Sequence, residues 1–391
     1  MDSPFILRWG IMGTGNIAKT FTKDLLLSQK WQSDRTISHV VTAVASSSSM
    51  EKTRHFVNEL RLSSACTNYD SYKFMVADPK VDVVYVATPH SHHFQHVMLA
   101  LESGKHVLCE KPLTVNAYQA RTLCEEARKR NLFLMEAMWT RFLPITSDVL
   151  EKIRRGQIGE VLRVVVDTSF GDDVEKTWGT QHRMLNRDLA GGALLDLGIY
   201  SLTWIFLCLY HALPESLRQA PSGIAAQMTL NHLTGADEAS SILLTFPTSA
   251  PNDVPEWKSQ AVALTNLRVS TDPDGKNSAG PAIRIQGTKG EIQLDGPSFR
   301  PERYRVISRC DGAEGQDIES VKVVDYPVPS EAKGMYWEAD EVGRCLRDGK
   351  IQSQSLPWEE IIAVLEVMDE ARRQGGLIYP EAIENASYSS Y

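Results

Sequence analysis

Short apolar runs alternate with amphipathic helical stretches from Phe5 to about Ala137. "FILRWGIM" (5–12), "HVVTAVAS" (39–46), "VDVVYVAT" (81–88), "HVLCEK" (106–111) and "LFLMEA" (132–137) have the length and near-continuous apolarity of buried strands. Between them the pattern predicts helices from about Asn16 to Leu27, from about Met50, near 92–103 and over 116–130. Strands apolar on both faces and separated by helices indicate a parallel sheet covered on both sides. That is the doubly wound α/β plan, in which ligands bind at the carboxyl ends of the strands.

After about residue 140 the pattern changes. A helix from about Pro144 to Arg155 leads into "EVLRVVVDTSF" (160–170), and the apolar segment containing "GGALLDLGIY" (191–200) predicts a helix running to about Leu209. Strand-like runs then follow one another: "SSILLTF" (240–246), "QAVALTNLRVS" (260–270), "AIRIQG" (282–287), "GEIQL" (290–294) and "RYRVISRC" (303–310). Successive strands without intervening helices predict a mostly antiparallel sheet, hence an α+β second domain. The stretch 247–281 is rich in Pro, Asn, Asp, Ser and Gly and reads partly as loop; a helix-rich segment closes the chain. The division expected is a first domain over 1–140 and a second over 141–391.

Composition narrows the class. The chain has 391 residues, 42% hydrophobic and 23% charged, as an ordinary globular protein of about two domains does. A formal net charge of −8 argues against nucleic acid as a partner, since phosphate contacts want a basic face. No apolar run reaches the roughly 20 residues of a bilayer span, so no membrane partner is expected. "MDSPFILRWGIMGTG" enters a strand at once and does not read as a signal peptide. Six cysteines without CxxC or paired spacing read as reduced, buried thiols of a cytoplasmic protein.

Chemistry concentrates at the predicted strand ends. Gly13-Thr14-Gly15-Asn16-Ile17-Ala18 lies in the first strand-to-helix turn, the context in which GxGxxA binds a dinucleotide. Gly13 permits the turn, Gly15 lets backbone approach a pyrophosphate, and Ala18 keeps the helix close to the sheet. An NAD site usually has Asp or Glu at the end of the second strand. This chain has Ser46, Ser47, Ser48 and Ser49, then Lys52, which suits the 2′-phosphate of NADP. Thr88-Pro89-His90-Ser91-His92-His93 follows the third apolar run. Adjacent histidines on a helix would point apart and no Cys or carboxylate ligands accompany them, so Thr88, Pro89 and His93 are assigned to the cofactor cleft wall and no metal is expected. Glu110 and Lys111 end the next run, Lys111 where a nicotinamide would lie; Trp139 and Arg141 follow the last.

With GTGNIA, ATPHSHH, CEKP and GGALLDLGIY in this order, the chain resembles the glucose-fructose oxidoreductase / inositol dehydrogenase (Gfo/Idh/MocA) family over essentially its whole length. "MEAMWTRFLP" (135–144), "AGGALLDLGIY" and "WEADEVGRCLRDGK" (337–350) are similar to the group of dimeric dihydrodiol dehydrogenases and fungal NADP-dependent D-xylose dehydrogenases. The resemblance implies a six-stranded Rossmann domain, then a domain on a large open sheet, in a homodimer. Much of the family has histidine four residues after the motif aspartate; here, as in the dihydrodiol and xylose enzymes, a tyrosine stands there. It thereby carries over Lys111 and Tyr200 as the proton-transfer pair, with Asp196 beside them.

A free tyrosine, with a pKa of about 10, is a poor base at neutral pH, and a nearby ammonium would favour its phenolate. The expected reaction is NADP-dependent hydride transfer at a hydroxyl-bearing or carbonyl carbon of a small polyhydroxylated substrate, an aldose or a trans-dihydrodiol. Either Tyr200 or Lys111 takes the hydroxyl proton, and Asp196 orients the substrate or holds Lys111. The segment alone equally allows Tyr200 as a core tyrosine and Asp196 as a helix cap. Lys111, Trp139, Phe170, Arg183, Asp196 and Tyr200 are the substrate candidates, Arg183 either receiving an anion or pairing with Asp188. Two other readings stay open: a carbonyl or imine reductase of a specialised metabolite, and a dinucleotide-sensing regulator without turnover.

Overall fold

The computed structural model describes residues 4–31, 34–247, 258–309 and 318–388. Contacts divide the chain into two compact units. The first comprises the residues up to Phe142, together with Val328–Ile362 and the segment from Glu381. The second comprises Leu143–Pro327 and Ala363–Pro380.

In the first unit, β1 (Phe5–Met12), β2 (Ile37–Ala45), β3 (Thr67–Tyr69), β4 (Val83–Val86), β5 (His106–Glu110) and β6 (Leu134–Ala137) form one sheet in the order β3-β2-β1-β4-β5-β6. Every ladder is parallel. This is the Rossmann order, reversing between β1 and β4, where such sheets open a crevice at their carboxyl edge. The helices α1 (Asn16–Trp31), α2 (Met50–Glu59), α3 (Tyr72–Val76), α4 (His93–Glu102) and α5 (Ala117–Arg130) alternate with the strands. β3 and α3 are too short, at three and five residues, to show a period in sequence.

A cut at residue 140 misses that the chain returns to this unit. The Asp24 carboxylate of α1 accepts the amides of Lys333 and Met335, at 3.0 and 2.7 Å. His39 of β2 is bonded to Asp340 at 2.9 Å in the helix Tyr336–Arg347, both side chains buried. The Trp358 indole donates to the carbonyl of Leu134 in β6, and Asn116 and Gln119 donate to the carbonyls of Glu384 and Ile383. Polar side chains buried in the sheet layer need these partners, which explains why the late segments belong here.

The second unit is built on eight strands: β7 (Val161–Ser169), β8 (Gly223–Leu230), β9 (Asp237–Pro247), β10 (Lys258–Asn266), β11 (Ile283–Gly287), β12 (Gly290–Leu294), β13 (Arg303–Arg309) and β14 (Ile318–Asp325). Their order is β14-β13-β12-β11-β7-β10-β9-β8, and only β7–β10 is parallel among the ladders. The mixed sequences of β8 and β14 hide them from the hydrophobic pattern, and Cys310, assigned to a strand by that pattern, lies outside the described residues. α6 (Pro144–Arg154) starts on the proline, whose missing N–H costs nothing in a first turn. The helical run Leu194–His211 packs on β7 and β10. It is long and apolar enough to cross a membrane, yet 94% of it is buried inside the protein. Its two ends are π-helical, at Leu194–Gly198 and Leu207–His211, around α-helical Ile199–Phe206.

Candidate active site

The loops after β1, β2, β4, β5 and β6 share one edge because the sheet is parallel, and they carry all the nucleotide-site candidates. Gly13 has φ +110°, and a Cβ there would stand 2.6 Å from the backbone oxygen of Ala87. Only glycine fits this turn. A Cβ on Gly15 would meet nothing within 4 Å, and Gly15, Asn16 and Ile17 are exposed at the start of α1. The start of α1 is thus open to solvent, as the close approach of a pyrophosphate requires.

At the end of β2, Ser46 is buried and Ser47 and Ser48 are exposed. Ser49 caps α2, accepting from the amides of Glu51 and Lys52. Lys52 reaches back along α2 to the Ser48 hydroxyl, with Nζ to Oγ at 3.1 Å. Ser48 completes a hydroxyl-plus-cation cluster in which no side chain from Ser46 to Ser49 carries negative charge. The carboxylate that ends the second strand of an NAD site is missing there.

The histidines after β4 are bound up in the fold. His93 is fully buried, its ring nitrogens 2.7 Å from the carbonyl of Pro112 and 2.9 Å from that of Thr88. Burial lowers its pKa to about 4, so at neutral pH the ring is neutral and has one proton to donate. His93 therefore ties the loops after β4 and β5 together. His96 meets the Thr88 hydroxyl at 2.9 Å. Among the described residues no group of three or more His, Cys, Asp or Glu is arranged to hold a metal ion.

Lys111 follows β5 directly and is 9% exposed. Glu110 precedes it in the chain, and Glu136 lies within its electrostatic reach. Glu110 accepts the buried Tyr85 hydroxyl, and Glu136 of β6 accepts the Leu113 amide at 2.8 Å. Burial raises the Glu136 pKa to about 7, against the Leu113 amide and the cations Arg141 and Lys111. Glu338, from the helix Tyr336–Arg347, is fully buried with neither oxygen hydrogen-bonded. Burial first, then the charges of Glu110 and Asp24, holds it well above the usual carboxylate range. Trp139 is buried after β6, whereas Arg141 is committed to Glu360 at 2.5 Å and to the carbonyl of Ser355 at 2.7 Å. Arg141 is thus a buried support for its loop.

In the second unit, Asp196 and Tyr200 are buried along the helical run. Arg183 donates to Asp196 at 3.1 Å. Arg183 thus gives Asp196 a partner on its own unit. The first turn bonds as a π-helix, Ile199 N–H to Leu194 O, a five-residue reach common at functional sites. The Tyr200 ring lies 5.7 Å from that of Phe299, which meets Phe170 edge-on at 6.3 Å. Phe170 and Phe299 line a cavity of about 270 Å³ with Thr168, Ser270, Thr271 and Asp272. Behind Tyr200, the hydroxyl of Thr168 bonds those of Ser201 and Ser298, at 2.8 and 2.6 Å. The hydrophobic pattern gave no sign of Phe299, because only the sheet brings it beside a helix about a hundred residues earlier.

Two family models cover most of the chain. Residues 7–138 match the oxidoreductase family with NAD-binding Rossmann fold, and residues 147–293 match the GFO/IDH/MocA C-terminal domain. The chain belongs to the GFO/IDH/MocA oxidoreductases. Among curated members it is 46% identical to D-xylose 1-dehydrogenase (NADP(+)) of Hypocrea jecorina over 99% of this chain and 96% of that one. It is 32% identical to trans-1,2-dihydrobenzene-1,2-diol dehydrogenase of Macaca fascicularis, over 96% and 98% of the two chains. Aldose-aldose oxidoreductase from Caulobacter crescentus, 21% identical, shares the fold with a TM-score of 0.72 over 95% of this chain and 97% of its own. As in other GFO/IDH/MocA oxidoreductases, then, a nucleotide-binding sheet precedes a second domain. Each keeps its own set of candidates: the glycine loop, serines, Lys52 and Lys111 in the first, Phe170, Arg183, Asp196 and Tyr200 in the second.

Proposed function

We propose that this protein is an NADP-dependent dehydrogenase that oxidises a hydroxyl-bearing carbon of an aldose. The observation that carries the reading is the near-complete likeness to the Hypocrea jecorina enzyme, at 46% identity. The Lys52–Ser48 pair at the end of β2 supports NADP over NAD. Gly13, Thr14, Gly15, Asn16 and Ile17 hold the pyrophosphate, Ser46 to Ser48 and Lys52 the 2′-phosphate, and Thr88, Pro89 and Trp139 border the nicotinamide. When bound there, NADP+ would supply the hydride acceptor for the substrate carbon. Tyr200 or Lys111 takes the hydroxyl proton, so that the alcohol becomes a carbonyl, the cofactor is reduced and one proton is released. Asp196, held by Arg183, orients the reacting hydroxyl, and the Phe170–Phe299 pair offers an apolar surface to a sugar ring.

Turnover measured on a panel of aldoses, trans-dihydrodiols and carbonyl compounds with both cofactors tests this. Fastest turnover on an aldose with NADP+ is expected. Activity confined to dihydrodiols would move the protein to the other named group, and no turnover on any substrate would favour the regulator.

The outward face of the second unit's sheet supports a homodimer. Register places Leu243, Val262 and Val165 side by side across β9, β10 and β7, and Val321 and Val323 on β14 are about half exposed. A sheet face with this much apolar surface is economically covered by a second copy. Light scattering should give twice the chain mass, and a monomer at micromolar concentration would reject the assembly. A cytoplasmic location fits the five described cysteines, all buried and none in a disulfide; a fluorescent fusion found in a secretory compartment would refute it.

A further inference from the structure

Asp237, the first residue of β9, is fully buried and takes no part in the mechanism above. Its Oδ2 accepts the amide of Leu194 at 2.6 Å, where the helical run carrying Asp196 and Tyr200 begins. The two backbones also meet in an isolated bridge between Gly192 and Asp237. A Cβ on Gly192, whose φ is +134°, would collide with Asp237 Oδ1, and one on Gly191 would collide with the backbone oxygen of Arg183. Oδ1 itself has no hydrogen-bond partner. The same corner is closed by Tyr379, whose hydroxyl lies 3.5 Å from the carbonyl of Gly191 and whose ring lies 4.8 Å under the Arg372 guanidinium.

Burying a carboxyl with one oxygen unmatched is costly, and a threonine or serine would cap a helix without that cost. What the carboxylate adds is a rigid, multiply anchored stop at the first turn, two residues before Asp196 and six before Tyr200. We propose that Asp237 is a positioning residue for proton transfer, fixing the first turn of the Asp196–Tyr200 helix, and that Gly192 leaves the space this carboxylate occupies. The proposal rests on the reading of Tyr200 as a proton-transfer group.

The test is kinetic, on the full-length enzyme with an aldose and NADP+. Asp237→Ala should lower kcat by about 10²-fold, the cost of a small displacement of a reacting group. NADPH affinity should not change, because the nucleotide candidates lie in the other unit. On a Tyr200→Phe background Asp237→Ala should cost nothing further, because residues acting as one unit are not additive. Asp237→Asn keeps an oxygen for the Leu194 amide and should restore most of kcat; if the alanine variant does not fold, the asparagine variant in both backgrounds carries the test. A lower melting temperature with unchanged kcat would overturn the proposal, as would equal losses with and without the Tyr200 hydroxyl. Full turnover by Tyr200→Phe alone would remove the underlying reading and this proposal with it, whereas an impaired Tyr200→Phe beside an unimpaired Asp237→Ala would remove only the proposal.

Discussion

Lys111 and Tyr200 are embedded in opposite kinds of surroundings. Beside Lys111 the first unit places its chain neighbour Glu110, under the Tyr85 hydroxyl, and Glu136, on the Leu113 amide and within electrostatic reach of the lysine, while Glu338, without a hydrogen-bond partner, acts on Glu110. On the Tyr200 side the second unit sets the Phe299 ring against the tyrosine ring, the next helix residue, Ser201, bonds the Thr168 hydroxyl, which also bonds Ser298, and Asp196, one turn away, is matched by Arg183. Coulombic influence falls slowly with distance in a poorly screened interior, whereas ring and hydroxyl contacts act only at their own range. The lysine side is therefore built to set charge and proton affinity, and the tyrosine side to set shape and position.

The largest effect expected comes from removing either reacting group. Tyr200→Phe preserves the ring against Phe299 and deletes only the phenol, and should cost turnover about two to four decades, the usual range of a general acid–base. Lys111→Met should cost a similar factor. If the two form one unit, the double variant loses far less than the product of the single losses. Fully multiplicative losses would break the comparison at its root, leaving two independent groups.

Second in size is the cofactor. Lys52→Ala removes the cation at the Ser48 hydroxyl and should weaken NADPH by about one to two decades, or roughly 1.5–3 kcal/mol for a charge-assisted contact. NADH affinity should hardly change, since it lacks the 2′-phosphate. Titration of both nucleotides checks this; equal weakening of the two would assign Lys52 to the pyrophosphate or to the fold.

Smaller again is a stability effect on the lysine side. Burial raises the Glu136 pKa from 4.5 to about 7, so the folded protein holds this proton where the unfolded chain has released it. Between those values the native state binds more protons, and stability must fall as pH rises through the window. Above it the folded protein carries the full penalty of the buried charge. Glu136→Gln keeps an oxygen for the Leu113 amide and removes the titration, so stability at pH 8 relative to pH 5 should improve by about 2 kcal/mol over the parent. Denaturant midpoints at the two pH values decide it. An unchanged difference would mean that Lys111 and Arg141 neutralise Glu136 in full.

How far the sequence reveals these two surroundings follows the same division. Buried parallel strands are near-continuous apolar runs, so β1 is read over its full length and β2, β4, β5 and β6 within a few residues. The glycine turn is legible because its chemistry is local: strand, Gly13, Gly15 and helix are contiguous. Asp196 and Tyr200 stand out because charge and phenol interrupt an apolar helix. Asp237, Glu338 and Phe299 leave no such trace, since each matters only through a contact made by a segment distant in the chain. His93 and Arg141 look like ligand groups in a one-dimensional reading and prove to be internal ties, because no local pattern distinguishes a cation aimed at a cofactor from one aimed at Glu360.

The smallest effect tests whether the tyrosine side works by shape. Phe299 touches both Tyr200 and Phe170, the second and edge-on contact being of the kind worth about 0.5–1.5 kcal/mol beyond area burial. Phe299→Leu keeps apolar volume while removing both ring contacts and one wall of the 270 Å³ cavity. If that cavity receives part of the sugar, KM should rise by about two- to tenfold, the same energy expressed in binding. The pH dependence of kcat should stay where it was, because no charge near Tyr200 has changed. A displaced pH profile with unchanged KM would reverse the assignment, showing that the phenyl ring governs the proton affinity of Tyr200 by excluding water. Shape and charge would then no longer divide between the two regions, and the tyrosine side would set both.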